Sequence, residues 1–241
     1  MNRTAVFSAI AVTMLGSAAV IAAQAPQGPQ QPMSFFVAGT VPGTGNLGGI
    51  TGADQICQNL AQAAGAGGKT WHAYLSQQAQ GNTPRVNARG RIGPGPWYNA
   101  KGALIASNVA DLHGDQQRDR NTIRQATALN EKGEVIPGGG TQGVQNEHDM
   151  LTGSDSMGRA FTDGLDHTCN NWTSDGMTIP VQGGGNNANV PPERARAMLG
   201  HMDRSGGGNI SWNATHMSQG CSKESLNATG GAGRIYCFAT N

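Results

Sequence analysis

The segment Ser211–Ala239 reads SWNATHMSQGCSKESLNATGGAGRIYCFA and ends in a predicted β-strand. The residues of this strand alternate between two faces, with Ile235, Cys237 and Ala239 on one and Tyr236 and Phe238 on the other. The glycine-rich run Gly230–Gly233 before it predicts a turn. A cysteine on so late a strand is expected to be joined to an early part of the chain, and Cys57 is the only early candidate.

The first 23 residues have the features of a signal peptide. Arg3 precedes an alanine-rich apolar run, and small residues follow it at a suitable cleavage position. The run is long enough for a membrane anchor, but its alanine content and its small-residue exit favour cleavage. Residues 24–33 form a Pro/Gln linker that is expected to be disordered, and residues 34–241 are expected to form one domain. The sequence therefore predicts a secreted or periplasmic protein with no membrane attachment after cleavage.

Composition excludes some partners and points to an external constraint on the fold. The net charge is +1 and only 13% of residues are charged, so no nucleic-acid or anionic-membrane surface is expected. The chain has 37 glycines without a short repeat, which is typical of a loop-rich fold rather than of collagen. Four cysteines in an exported chain supply the constraint as disulfides, and four cysteines allow three pairings.

The position of Cys237 on the last strand favours a nested pairing, Cys57–Cys237 around Cys169–Cys221. The outer loop spans 237 − 57 = 180 positions, so its closure would stabilise the fold by about 4–5 kcal/mol in the chain-entropy model. That is comparable with the whole stability of an ordinary domain.

The clearest helical pattern runs from Thr51, as its N-cap, to Gly65, with Asp54 in a capping-box position. Its apolar positions form one stripe: Ala53, Ile56, Cys57, Leu60, Ala61 and Ala64. The segment Trp71–Leu75 alternates and predicts a strand. From 137 to 208 the chain is predicted to be mostly loop, of a length that usually has a function.

Seven ordered motifs resemble those of exported bacterial lectin-like proteins of the C-type-lectin-like superfamily, to which endostatin also belongs. They are Ala53–Cys57 (ADQIC), Ala73–Ser76 (AYLS), Asn146–Ser154 (NEHDMLTGS), Cys169–Ser174 (CNNWTS), Gly200–Asp203 (GHMD), Ser211–His216 (SWNATH) and Gly220–Ala239. The resemblance implies an α+β, C-type-lectin-like fold with curled antiparallel sheets, flanking helices and long loops. It also implies two nested disulfides and a binding site in the loop region.

Calcium-dependent lectins of that superfamily use carboxylate and amide oxygens from a Glu-Pro-Asn or Gln-Pro-Asp loop and a Trp-Asn-Asp strand. This chain has Trp212 and Asn213 but Ala214 in place of the aspartate, and it lacks both loop motifs. A calcium cofactor is thus possible but the usual site is incomplete, and no cofactor is predicted. The predicted ligand-binding residues are Asn146, Glu147, His148, Asp149, Asp203, Trp212, Asn213 and His216.

The histidines are of the type that binds zinc, and they fall in loops that could converge. None of their spacings matches a known ligand motif, so we expect them to brace glycine-rich backbone instead of binding a metal. No nucleophile elbow or phosphate-binding loop is present, which argues against an enzyme. We expect a non-enzymatic recognition domain whose partner is a glycan. The alternative is a structural or adhesion module that binds an extracellular protein without a sugar site.

Overall fold

The computed structural model describes residues 31–114, 119–176, 195–206 and 209–241, which belong to one compact unit. The predicted signal peptide and most of the predicted linker lie outside these residues. The last strand, β9 (Tyr236–Ala239), is the middle strand of a three-stranded antiparallel sheet. Its neighbours are β1 (Phe35–Val37) and β2 (Trp71–Ala73). Cys237 therefore lies between Phe36 and Ala73 in the register.

The predicted alternation along β9 is confirmed, because its two faces enter two different hydrophobic cores. Ile235, Cys237 and Ala239 pack into the first core, beside the helix α1 (Gly49–Ala63). Tyr236 and Phe238 pack into a second, aromatic core. The large rings of that second core are Phe35, Tyr74, Trp97, Trp212, Tyr236 and Phe238.

The predicted start of the first helix is wrong. The helix begins at Gly49, and Gly48 before it adopts the left-handed conformation at φ 75° without a side-chain cap. Asp54 accepts a hydrogen bond from the backbone N–H of Ala73 at 2.9 Å and forms an ion pair with Arg91 at 2.6 Å. The carboxylate thus joins the helix to β2 instead of capping the first turn.

The remaining elements form a hairpin, a four-stranded sheet and short helices. The hairpin pairs β3 (Trp97–Tyr98) with β4 (Leu104–Ala106). The second sheet contains β5 (Asp149–Leu151), β6 (Met198–His201), β7 (His216–Met217) and β8 (Gly231–Arg234), in the order β7-β6-β5-β8. The short helices are α2 (Val109–His113), α3 (Cys169–Trp172) and α4 (Lys223–Asn227).

One prediction from local sequence is corrected by the second sheet. The run Gly230–Gly233, predicted as a turn, supplies most of β8, which pairs in parallel with β5. Pairing with a distant strand supplies hydrogen bonds that the local sequence does not indicate. The described part of the region predicted to be mostly loop is mostly loop, and its regular elements are the short β5, α3 and β6. The mixed α+β class itself agrees with the prediction.

The two disulfides are nested as predicted. Cys57 bonds to Cys237 with a Cα–Cα distance of 5.5 Å, and Cys169 bonds to Cys221 with a distance of 5.7 Å. The four cysteine side chains are fully buried in the first core. Among the described residues, no helix has both the length and the apolar character needed to cross a membrane.

We predict that the double substitution Cys57→Ala/Cys237→Ala lowers the free energy of unfolding by about 4–5 kcal/mol, because the outer loop spans 180 positions. Equilibrium denaturation in guanidinium, compared with the wild type, measures the loss. The matched control is Cys169→Ala/Cys221→Ala, whose loop of 52 positions should give a loss smaller by about 1 kcal/mol. An outer-pair loss below that of the inner pair would contradict the loop-closure argument.

Candidate functional site

Three titratable side chains share one face of the four-stranded sheet. Asp149 on β5 is paired directly with His201 on β6. His216 on β7 is paired with Leu199, two residues before His201. Because directly paired residues, and residues two apart on one strand, lie on the same face, Asp149, His201 and His216 lie together. His148, just before β5, joins them, and we call these four residues the Asp149 cluster.

The Nε2 atoms of the three histidines gather around one oxygen of the aspartate. Oδ1 of Asp149 lies 3.3 Å from Nε2 of His148, 3.1 Å from that of His201 and 3.6 Å from that of His216. Nε2 of His201 also lies 3.0 Å from Nε2 of His216. None of the three contacts with Asp149 has the alignment of a hydrogen bond, so both oxygens of this carboxylate lack a hydrogen-bond partner. The Asp149 side chain has no exposed surface.

The other ring nitrogen of each histidine contacts an oxygen that can only accept a hydrogen bond. Nδ1 of His201 lies 2.6 Å from the backbone oxygen of Ser205. Nδ1 of His216 lies 3.1 Å from the backbone oxygen of Met217. Nδ1 of His148 lies 3.1 Å and 3.2 Å from the two carboxylate oxygens of Asp203. Each Nδ1 therefore carries a hydrogen, and in a neutral ring Nε2 presents a lone pair to the cluster.

Asp203 is held as an anion by the groups around it. Its carboxylate accepts hydrogen bonds from the Ser205 hydroxyl and the Gly139 backbone N–H, both at 2.7 Å. Burial by itself raises the pKa of Asp203. The hydrogen bonds from His148 and Ser205 outweigh burial, and the net pKa lies well below the ordinary value. The ionised carboxylate sets the tautomer of His148, because Nδ1 donates to it.

The pKa of Asp149 is also set by burial on one side and by neighbouring groups on the other, and Asp149 is more deeply buried than Asp203. Burial raises the pKa of Asp149, but the imidazoles of His201 and His216 more than compensate, so the net pKa lies below its ordinary value. Burial lowers the pKa of His216, whereas the Asp149 carboxylate raises it, and the net pKa of this histidine is raised. The cluster therefore contains a buried anion that demands positive charge close by.

Glycines surround the imidazoles where a larger residue would collide with them. A Cβ built on Gly230, which has φ +99°, would lie 3.1 Å from Nε2 of His148 and 2.7 Å from Nδ2 of Asn146. A Cβ on Gly139 would lie 3.2 Å from Nδ1 of His148. The glycine content noted in the sequence thus has a local use, which is to let backbone approach the histidine rings closely.

We predict that Gly230→Ala lowers the free energy of unfolding by roughly 2–4 kcal/mol, because it combines backbone strain at positive φ with a collision against Asn146 and a tight contact with His148. Gly65→Ala is the matched control, since Gly65 has φ +79° and no atom lies within 4 Å of the place that its Cβ would occupy. The control should lose only about 1 kcal/mol, from backbone strain alone. Chemical denaturation of both variants tests this, and equal losses would show that the space around His148 is not restricted.

The predicted ligand-binding residues do not all meet at one point. His148, Asp149, Asp203 and His216 come together through contacts with one another. Asn146 accepts a hydrogen bond from the His148 backbone N–H at 3.1 Å. Glu147 instead forms an ion pair with Arg234, with a hydrogen bond of 2.6 Å from Nε. Trp212 and Asn213 lie outside the cluster, in the buried interior.

Trp212 and Asn213 are fully buried within the fold. The Trp212 ring packs in the aromatic core, 4.7 Å from the ring of Tyr74. Asn213 donates to the Tyr74 hydroxyl at 2.9 Å and accepts from the Ser211 hydroxyl at 2.9 Å. Both side chains are therefore occupied by contacts within the protein.

His201 is absent from the predicted ligand-binding residues, although it lies at the centre of the cluster. The sequence signal that could identify it is the alternation in Leu199–His201, which places His201 on the same strand face as a core leucine. That signal becomes informative only once β6 is known to pair with β5. The expectation that histidines brace glycine-rich backbone fits the contact of His201 with the Ser205 backbone oxygen, which precedes Gly206. It does not account for the Asp203 contact of His148 or for the convergence of the Nε2 atoms.

A second feature is a surface groove lined by amide side chains. A hollow of about 210 Å³ is bordered by residues 78–80, 164–166, 168 and 170–171. Its polar side chains are Gln78, Gln80, Asp166, Thr168, Asn170 and Asn171. A neighbouring hollow of about 470 Å³ shares Gln78, Ala79 and Gly164 with it and adds the half-buried ring of Phe161. We call the two hollows together the amide groove.

The α3 turn that borders this groove has an unusual backbone. All four of its residues have positive φ, with values of 48°, 53°, 53° and 66° from Cys169 to Trp172. The Asp166 carboxylate accepts hydrogen bonds from the backbone N–H groups of Thr168 and Asn170 at 2.8 Å and 2.7 Å. The buried Trp172 indole donates to the Ser76 backbone oxygen at 2.8 Å. These contacts and the Cys169–Cys221 disulfide hold the turn in place.

No family model matches the chain, and no curated protein shows significant similarity to it. The two features of this chain that can indicate its function are the Asp149 cluster and the amide groove.

Proposed function

We propose that this protein is an exported, non-enzymatic recognition domain of the C-type-lectin-like kind, and that it binds carbohydrate in the amide groove. The observation that carries the proposal is the left-handed α3 turn, which holds the side chains of Asn170 and Asn171 at the groove. Export is supported by the N-terminal sequence and by the two disulfides.

A left-handed turn of this kind needs external support. The conformation costs roughly 1–2 kcal/mol for an ordinary residue, although asparagine tolerates it better than most. Cys169 and Trp172 at its ends bear most of this cost, and both are fully buried. Strained backbone that the surrounding structure maintains is commonly found at binding sites. Here its consequence is the placement of two adjacent asparagine side chains beside the glutamines of residues 78–80.

The groove is lined mainly by amides, with one charged side chain in each hollow, Asp166 in the first and Arg85 in the second, and this lining suits a hydroxyl-rich ligand. Amides both donate and accept hydrogen bonds, as sugar hydroxyls do. Gln80 donates to Asn170 at 2.8 Å, and Asn171 exchanges hydrogen bonds with the backbone of Gln78 at 2.8 Å and 3.0 Å, so the amides are pre-oriented. One face of the half-buried Phe161 ring is stacked on His167 with centroids 3.9 Å apart, and the rest of the ring supplies apolar surface of the type on which a sugar packs.

Calcium is not part of this proposal. The groove's first hollow contains a single carboxylate, Asp166, and that group already accepts two backbone hydrogen bonds. Calcium sites in proteins use six to eight oxygen ligands, usually with several carboxylates. Binding in the amide groove should therefore persist when calcium is removed.

We predict that the purified protein binds specific glycans on an array with and without calcium, and that Asn170→Gly weakens the binding at least about tenfold. Glycine keeps the left-handed backbone at φ 53° while removing the amide, so the turn should survive. The matched control is Gln55→Ala, an exposed amide on α1 outside the groove. Titration of the best array ligand against each variant measures the change.

If the protein binds no glycan on the array, either with or without calcium, the carbohydrate proposal is overturned. Capture of one extracellular protein would then support the adhesion alternative. Glycan binding that Asn170→Gly leaves unchanged would place the sugar site outside the amide groove.

A further inference from the structure

We propose that the Asp149 cluster binds one divalent transition-metal ion, with zinc as the best match. The ligands would be Nε2 of His148, His201 and His216 and one carboxylate oxygen of Asp149. This site is separate from the amide groove, and the inference does not depend on the proposed carbohydrate binding.

Four of the six separations among the proposed ligand atoms are close to those of a tetrahedral site. Zinc lies about 2.0–2.1 Å from imidazole nitrogen and about 2.0–2.2 Å from carboxylate oxygen, so neighbouring ligand atoms in a tetrahedron lie about 3.3–3.5 Å apart. The three nitrogen–oxygen separations in the cluster are 3.3, 3.1 and 3.6 Å. The nitrogen–nitrogen separation between His201 and His216 is 3.0 Å.

His148 is the ligand that has to adjust. Its ring is stacked on that of His201, with centroids 4.1 Å apart and planes inclined by 19°. Two nearly parallel imidazoles cannot both direct their Nε2 lone pairs at one ion, so the His148 ring must tilt towards the carboxylate. Its ligand atom lies within 4.8 Å of those of Asp149 and His201, so the ring has only a short distance to move towards a shared ion.

The charges of the cluster favour a bound cation. Each Nδ1 faces an acceptor oxygen, so three neutral rings present three Nε2 lone pairs to a carboxylate that has no hydrogen-bond partner. A buried carboxylate without a partner is costly. Without a metal, a proton has to lie between the two Nε2 atoms that are 3.0 Å apart, which makes one of these rings an imidazolium. A metal ion at the centre satisfies all four groups at once.

The Nδ1 contacts are those expected of metal-binding histidines. Such histidines usually donate their second ring N–H to a carboxylate, a backbone carbonyl or water, which sets the tautomer and the ring orientation. Here Asp203 accepts from Nδ1 of His148. The backbone oxygens of Ser205 and Met217 accept from Nδ1 of His201 and of His216, respectively. Asp203 is thus a positioning residue for the site.

The ligand set distinguishes among metals and among roles. Three imidazoles and one carboxylate suit zinc and its neighbours, whereas calcium and magnesium prefer oxygen ligands. Four protein ligands make a closed site, and the three histidine side chains are at most 7% exposed. The site is therefore structural, and it connects β5, β6 and β7, whose pairing involves only a few residues each.

The test uses the purified full-length chain without a polyhistidine tag, stripped of metal by a chelator and then titrated with zinc alone. We expect one zinc per chain by elemental analysis and calorimetry, and a higher melting temperature with zinc. Asp149→Asn and His201→Gln should each weaken binding more than about 100-fold, and Asp203→Asn by about 10- to 100-fold. His72→Gln is the control, because the half-buried His72 contacts the Arg91 backbone oxygen outside the cluster.

Cobalt(II) provides a second measurement on the wild type, which keeps the test valid if a variant fails to fold. Replacement of zinc by cobalt should give the strong visible absorption of tetrahedral coordination, and X-ray absorption at the zinc edge should show three imidazole nitrogens and one oxygen. A folded wild type that takes up no zinc would overturn the proposal and show that the cluster holds protons instead. Zinc bound with fewer than two imidazoles, or lost equally by His72→Gln, would also overturn it.

Discussion

The pairing of β9 with β1 and β2, with Cys237 bonded to Cys57, holds the two cores of the domain together. The strand lies between these cores, and its alternating side chains belong to one core or the other. The disulfide fixes the first-core face of the strand to helix α1. Without this connection, a chain with 37 glycines and short strands would have little to oppose the entropy of its loops.

The second sheet depends on a different balance, between backbone pairing and buried charge. On one face of this sheet, the paired residues Leu151 and Leu199 pack in the first core. The next pair on the same face is Asp149 and His201. On the opposite face, a Cβ at Gly200 would collide with the Trp212 backbone oxygen, so only glycine permits this approach. Close packing on one face thus sets the position of the strand that carries His201 on the other.

The two candidate sites use the same scaffold in different ways. The amide groove lies beside the inner disulfide, which holds a backbone conformation that the residues of α3 would not adopt alone. The Asp149 cluster lies on paired strands, where regular geometry brings together side chains from distant parts of the chain. One site exposes polar groups to solvent, and the other removes charged groups from it. Recognition of a ligand suits the first arrangement, and structural stabilisation suits the second.

Local sequence patterns were sufficient to predict several features of the fold. The alternation in Ile235–Ala239 predicted both faces of β9, and the apolar stripe around Cys57 predicted the helix that bears it. The late strand and the early helix together favoured the nested disulfides that the structure contains. The resemblance to lectin-like proteins agreed with the α+β class and remains the source of the expected carbohydrate ligand.

Contacts between distant residues, in contrast, became visible only in the folded chain. Asp54 pairs with Arg91 instead of capping its helix, and the run Gly230–Gly233 contributes to a strand because β5 lies beside it. The convergence of the histidines depends on the register that places His201 opposite Asp149 and His216 opposite Leu199. A shift of that register by one residue would move these side chains to the other face of the sheet. Local sequence does not specify the register of distant strands, so the tertiary fold was needed to reveal the cluster.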